Sequence, residues 1–180
     1  MAKIYELTVP TPKNGDFSLN EYRGKVMLIV NTATGCGFTP LYEPIEKMYE
    51  EFHEKGFEVV DVPCNQFNGQ TPGNDDEIHE FCTMKYKTQF AQMKKSDVNG
   101  ANELPLFTYL KSQQGFKGFT GPKAPLMDGM LRGFDPEYDK KPDIKWNFTM
   151  FLVDRKGNVT DRFEPTADFD DVRNRVLELI

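Results

Sequence analysis

Apolar positions change period several times along the chain, and each period predicts an element. Between Ile4 and Leu19 the apolar pieces are short and broken by Pro10 and Pro12. The Asn14-Gly15 pair inside Lys13–Asp16 predicts a hairpin turn. Val26–Thr32 is a continuous apolar, β-branched run ending before Gly35 and Gly37, the pattern of a strand covered on both faces. Leu41, Ile45, Met48, Tyr49 and Phe52 fall on one helical face. Thr39-Pro40 would open that helix as cap and first residue, and Gly56 would close it. Phe57–Val62 is a second buried strand, so the segment predicts a βαβ unit with a parallel right-handed crossover and an α/β fold.

Cys64–Gly73 is too rich in Asn, Gly and Pro for regular structure, and Asn74 then caps a helix with Ile78, Phe81, Cys82 and Tyr86 on its apolar face. A short strand is expected near Phe90–Met93 and a helix across Leu104–Leu110. Phe148–Val153 and Val159–Phe163 form a hairpin about Lys156-Gly157-Asn158, and Phe169, Val172, Val176 and Leu179 mark a last helix. Gly115–Pro142 differs from the rest, with five Gly and four Pro and aromatic residues without period. It reads as a long surface insertion, and loops of that length are commonly functional.

Composition narrows the class. At 180 residues, 38% hydrophobic and 28% charged, the chain is expected to be one globular domain spanning 1–180. No apolar run is long enough for a membrane span, and the first residues lack the pattern of a secretion signal, so a cytoplasmic location is expected. A formal charge of −6 without a basic, aromatic-interleaved stripe argues against nucleic-acid partners. Three cysteines, with no C-x-x-C pair and no histidine at ligand spacing, predict reduced thiols and no metal site. No metal or organic cofactor is implied.

Cys36 carries the chemical interest. It lies between two glycines, beyond the carboxyl end of the predicted central strand and before a helix N-terminus, where unpaired N–H groups favour a thiolate. The competing reading is a small buried apolar residue. Position 39 is Thr, so Cys36 lacks a local dithiol partner, and His53 and His79 sit among glutamates as surface residues. A cysteine hydrolase is therefore disfavoured, and attack on a peroxide O–O bond, giving a sulfenic acid, fits better. Gln70, on the loop after the second strand, and Trp146-Asn147, before a later strand, could supply donors. Each also has a plain reading, as a solvated loop residue and a packed aromatic anchor.

Three stretches, NTATGCGFTP at Asn31–Pro40, PCNQFNGQTPG at Pro63–Gly73 and WNFTMFLVDRKG at Trp146–Gly157, resemble in order and spacing the signature segments of the glutathione peroxidase family. The resemblance covers nearly the whole chain. It implies a thioredoxin-like fold with an N-terminal β-hairpin, Cys36 as the peroxidatic residue, and Gln70, Trp146 and Asn147 as its tetrad partners. EFCTMKY at Glu80–Tyr86 is similar to the helix that holds the resolving cysteine of cysteine-type members, which implies that Cys82 traps the sulfenic acid as a disulfide reduced by thioredoxin. Cys64 matches a cysteine of the family segment and is assigned packing or a backup role. The insertion before Trp146 departs from the short link usual in such members and leaves glutathione as an alternative reductant.

The expected activity is reduction of hydrogen peroxide and organic hydroperoxides, including lipid ones. The alternatives are a glutathione-dependent one-cysteine peroxidase and a redox relay that oxidises a partner protein docked on the insertion.

Overall fold

A computed structural model describes residues 1–180. Strand β1 (Thr8–Pro10) pairs antiparallel with β2 (Asp16–Ser18), and Asn14 and Gly15 both take positive φ in the turn, as the Asn-Gly pair requires. Then follow β3 (Val26–Thr32), α1 (Tyr42–Phe52), β4 (Phe57–Pro63), α2 (Asp75–Tyr86), α3 (Pro105–Gln113), α4 (Ala124–Phe134), β5 (Met150–Val153), β6 (Val159–Phe163) and α5 (Phe169–Leu179). The main sheet has the order β4-β3-β5-β6. β3 runs parallel to β4 and antiparallel to β5. This is the thioredoxin-like α/β fold, preceded by a β-hairpin.

The strand period explains the apolar run that marks β3. Val26, Leu28 and Val30 point into one core with Ile45 and Phe52 of α1, Ile78 of α2, Leu131 of α4 and Val172 of α5. Met27 and Ile29 point into the other, with Ile4 and Leu19 of the N-terminal segment and Phe107 of α3. Alternate side chains are thus buried on opposite faces, so every residue of β3 is apolar until Asn31 and Thr32. Burial of side chains this size contributes roughly 1.5–3 kcal/mol each. The carboxyl ends of β3 and β4 lie side by side, with Thr32 opposite Pro63, and the loops that leave them are therefore neighbours.

Four expectations need correction. The 90–93 strand is a single bridge from Gln92 to Asp61, because the stretch meets β4 at one point only, where the Met93 N–H donates to the Asp61 carbonyl (2.8 Å). Thr39-Pro40 does not cap α1. Thr39–Leu41 is a 3-10 turn, and the Thr39 hydroxyl is spent on the Cys36 loop. The strand expected from Phe148 starts at Met150, since Phe148 has φ 64, outside strand geometry. Last, Gly115–Pro142 is not structureless: it carries α4 and a 3-10 turn at Tyr138–Lys140. Met127 and Leu131, one turn apart, bury α4 against the core, while Phe116 and Phe119 pack edge to face at 5.2 Å beside Tyr138. Gly121, at φ 84, crosses so near Thr166 that a Cβ would collide with its carbonyl oxygen. No helix is long and apolar enough to cross a membrane.

Candidate active site

Three segments meet at the carboxyl end of the sheet. The first is the loop after β3. There the Thr39 hydroxyl accepts from the Cys36 N–H (2.9 Å) and donates to the Ala33 carbonyl (2.8 Å), while the Thr39 N–H donates back to the Cys36 carbonyl (3.0 Å). The loop is closed on itself, and the Phe38 N–H then donates to Cys36 Sγ at 3.3 Å. That bond puts one main-chain donor directly on the sulfur. Cys36 is 8% exposed.

The second segment follows β4. The Gly35 N–H donates to the Gln70 carbonyl (2.8 Å), and a side chain at Gly35 would place its Cβ 3.3 Å from that oxygen. Glycine here keeps the Cys36 loop against the Gln70 loop. Thr71 draws the same loop inward by donating to the Thr32 and Cys64 carbonyls, and its N–H donates to Asn65 Oδ1 (3.0 Å).

The third segment precedes β5. Asn147 is fully buried, and its Nδ2 donates to Gln70 Oε1 (3.0 Å). The bond fixes the Gln70 amide with its oxygen occupied and its NH2 group as the donor end. Asn147 Oδ1 is buried without a protein partner. Trp146 packs on Phe67, ring centroids 5.7 Å apart, and its carbonyl accepts from Asn31 Nδ2 (3.3 Å) and Thr149 Oγ1 (2.9 Å). The Phe148 N–H donates to the Asn31 carbonyl at 2.6 Å. Asn31 thus clamps both sides of the turn that presents Trp146 and Asn147. The left-handed Phe148 in that turn stores roughly 1–3 kcal/mol of strain, held by the bonds around it.

Gln70, Trp146 and Asn147 therefore stand on segments tied to one another and to the Cys36 loop. Cys82 does not join them by hydrogen bonding. It is 1% exposed on the inner face of α2, and burial pushes its thiol up to about 12. Cys64 is fully buried at the end of β4, and burial pushes it up to about 11. All three cysteines are thiols here. His53 stacks on Tyr49 at the far end of α1 and His79 is exposed on α2, so neither serves Cys36. Sequence reasoning missed Asn31 and Thr39, and also Asp61, a buried carboxylate of β4 that accepts from Thr32 Oγ1 (2.5 Å) and the Tyr42 hydroxyl (3.3 Å). The signal for Asn31 and Asp61 was a polar residue closing or interrupting an apolar strand.

The glutathione peroxidase family model matches residues 4–111. A glutathione peroxidase homologue of Neisseria meningitidis is 41% identical over 98% of this chain and 99% of its own. The glutathione peroxidase-like peroxiredoxin HYR1 of Saccharomyces cerevisiae is 40% identical over 100% of this chain and 98% of its own. Among solved structures, T. cruzi GPX1 superposes with a TM-score of 0.69 at 33% identity, covering 98% of this chain and 95% of that one. A thiol:disulfide interchange protein of Chlorobium tepidum, at 16% identity, a TM-score of 0.56 and coverage of 96% and 91%, shares the fold alone. This chain belongs to the glutathione peroxidase family and is a peroxidase, an oxidoreductase carried on a thioredoxin-like fold.

Proposed function

We propose that Cys36 is the peroxidatic residue and that it reduces hydrogen peroxide and organic hydroperoxides, lipid hydroperoxides among them. The observation that carries this reading is that the segments holding Gln70 and Asn147 are tied to each other and to the loop that holds Cys36, through the Gly35–Gln70 and Gln70–Asn147 hydrogen bonds. The Cys36 thiolate attacks one peroxide oxygen and the O–O bond breaks. The sulfur becomes a sulfenic acid, and the other oxygen leaves as water or alcohol after taking a proton. The Gln70 NH2, the Trp146 indole N–H and the amide hydrogen that Asn147 has left beyond its bond to Gln70 are the donors assigned to orient the peroxide and stabilise the leaving oxygen. The reaction so written needs no metal or organic cofactor.

For the second half of the cycle, Cys82 condenses with the sulfenic acid, water leaves, and thioredoxin reduces the resulting disulfide. Cys82 is buried in α2, so that helix has to open locally. The same burial favours a second reading, in which Cys82 is a core residue and glutathione reduces Cys36 directly.

Steady-state hydroperoxide reduction, with thioredoxin and its reductase or with glutathione, separates the readings. Cys36→Ser is expected to abolish both activities. Cys82→Ser is expected to abolish only the thioredoxin-linked one, and a glutathione-linked rate indifferent to Cys82→Ser, with no thioredoxin-linked rate in the unsubstituted protein, supports the one-cysteine reading.

A further inference from the structure

Asp61 lies in the middle of β4, 1% exposed, and no lysine, arginine or histidine pairs with it. Thr32 Oγ1 donates to its Oδ1 at 2.5 Å. The Tyr42 hydroxyl stands 3.3 Å from each carboxylate oxygen, and Tyr42 and Cys82 are buried in the same core cluster. The titratable groups near the carboxyl are Tyr42 from α1 and Cys82 from α2, and β3 contributes the neutral Thr32; the Met93 N–H goes to the Asp61 main-chain carbonyl and leaves the carboxyl alone. A buried carboxylate without a cation is costly, and such groups concentrate where protons move.

We propose that Asp61 is the proton acceptor for Cys82 during disulfide formation, acting through the Tyr42 hydroxyl. The inference rests on Cys82 being the resolving cysteine. The thiol proton of Cys82 passes to the Tyr42 oxygen as the Tyr42 proton passes to the Asp61 carboxylate, leaving a Cys82 thiolate and a neutral Asp61. The thiolate attacks the sulfur of the Cys36 sulfenic acid, the S–S bond forms and the S–O bond breaks. The departing hydroxide takes up a proton as water, and Asp61 returns its own to solvent. The transfer moves one negative charge from Asp61 to Cys82 and creates none.

The electrostatics agree with that order. Burial holds the Asp61 carboxyl up to about 7, so both of its forms are populated near neutral pH. Burial pushes Cys82 to about 12, so it ionises in place only with help. Transfer in the closed core is uphill, and S–S bond formation draws it forward. The nascent thiolate is an unpaired charge under α2, which favours the opening that carries Cys82 to Cys36.

The test is a single turnover. Reduced protein is mixed with one equivalent of hydrogen peroxide between pH 5 and 9, quenched by alkylation, and the Cys36–Cys82 disulfide is followed by mass. The unsubstituted protein is expected to form it faster as pH rises and to level off above about 7. Asp61→Asn keeps the size of the side chain and one acceptor oxygen for Thr32 but not the base, and should slow the step by about 10²-fold and flatten its pH profile. Tyr42→Phe leaves the carboxylate but breaks the path, and should do the same even if the Asn variant folds poorly. Disulfide formation in both variants at the unsubstituted rate and with its pH profile would overturn the proposal. If the unsubstituted protein oxidises Cys36 but never forms the Cys36–Cys82 disulfide, the resolving role of Cys82 fails first, and the proposal with it.

Discussion

Asn147 is fully buried and spends one amide hydrogen on Gln70, so it holds the Gln70 amide in place and keeps one hydrogen for the peroxide. Asn147→Ala removes the partner of Gln70 Oε1, and the hydroperoxide kcat/KM is expected to fall about 10²-fold, the cost typical of losing one preorganised donor. A steady-state assay checks it, and an unchanged kcat/KM would show that the Gln70 amide is held by something else. At this scale local context singled out Cys36, whereas Gln70, Trp146 and Asn147 stood out only through the resemblance of their segments to a family's signature stretches. Asn31 and Thr39 were not legible. Asn31 acts on a turn 115 residues away, and Thr39 acts by looping back on Ala33, and neither pairing leaves a period in the sequence. Asp61 was visible as an acidic residue inside FEVVDV, yet only its neighbours Thr32 and Tyr42 give it a role.

At the element scale, α2 governs access to Cys82. Its first turn is held by a capping box, Asn74 Oδ1 accepting from the Glu77 N–H and Glu77 Oε2 accepting from the Asn74 N–H, both at 2.9 Å. Asn74→Ala should cost the helix about 1 kcal/mol, which raises the population of the open form roughly fivefold. Faster amide exchange across Asp75–Tyr86 and a several-fold faster Cys36–Cys82 disulfide are expected. Faster exchange without faster disulfide formation would show that opening does not limit the step. The elements were largely legible where one period ran long enough, as in β3, β4, α1 and α5. α4 was not, because Gly129, Gly133 and Pro125 dilute its helical signal and only Met127 and Leu131 reach the core. Leu131→Ala should lower stability to denaturant by about 2 kcal/mol, the lower end for a buried leucine, since Leu131 lies at the edge of the core. No loss would mean that α4 is not docked.

For the whole molecule, burying Asp61 writes itself into the pH dependence of stability. Its carboxyl holds a proton more tightly in the folded protein, at about 7, than at the ordinary value of 3.8. The folded state therefore binds more protons between these values, so stability from this group is greatest below the lower one and falls as pH rises through the window. The difference in unfolding free energy between the unsubstituted protein and Asp61→Asn should fall from pH 4 to pH 7 and be level above it. A flat difference from urea titrations across that range would place the carboxylate in contact with water. The α/β class was legible from the βαβ unit, and the thioredoxin-like fold from the resemblance of three segments to a known family. What stayed hidden was how three loops at its carboxyl edge lock together, since that depends on backbone N–H groups that every residue carries. The most direct test of the site is to treat the reduced Cys82→Ser variant with one equivalent of a hydroperoxide, trap the product with a sulfenic-acid reagent, and locate the adduct by peptide mass. The adduct is expected on Cys36 alone, and to vanish in the Cys36→Ser, Cys82→Ser double variant; an adduct on Cys64, or hydroperoxide consumed at an undiminished rate without Cys36, would contradict the account.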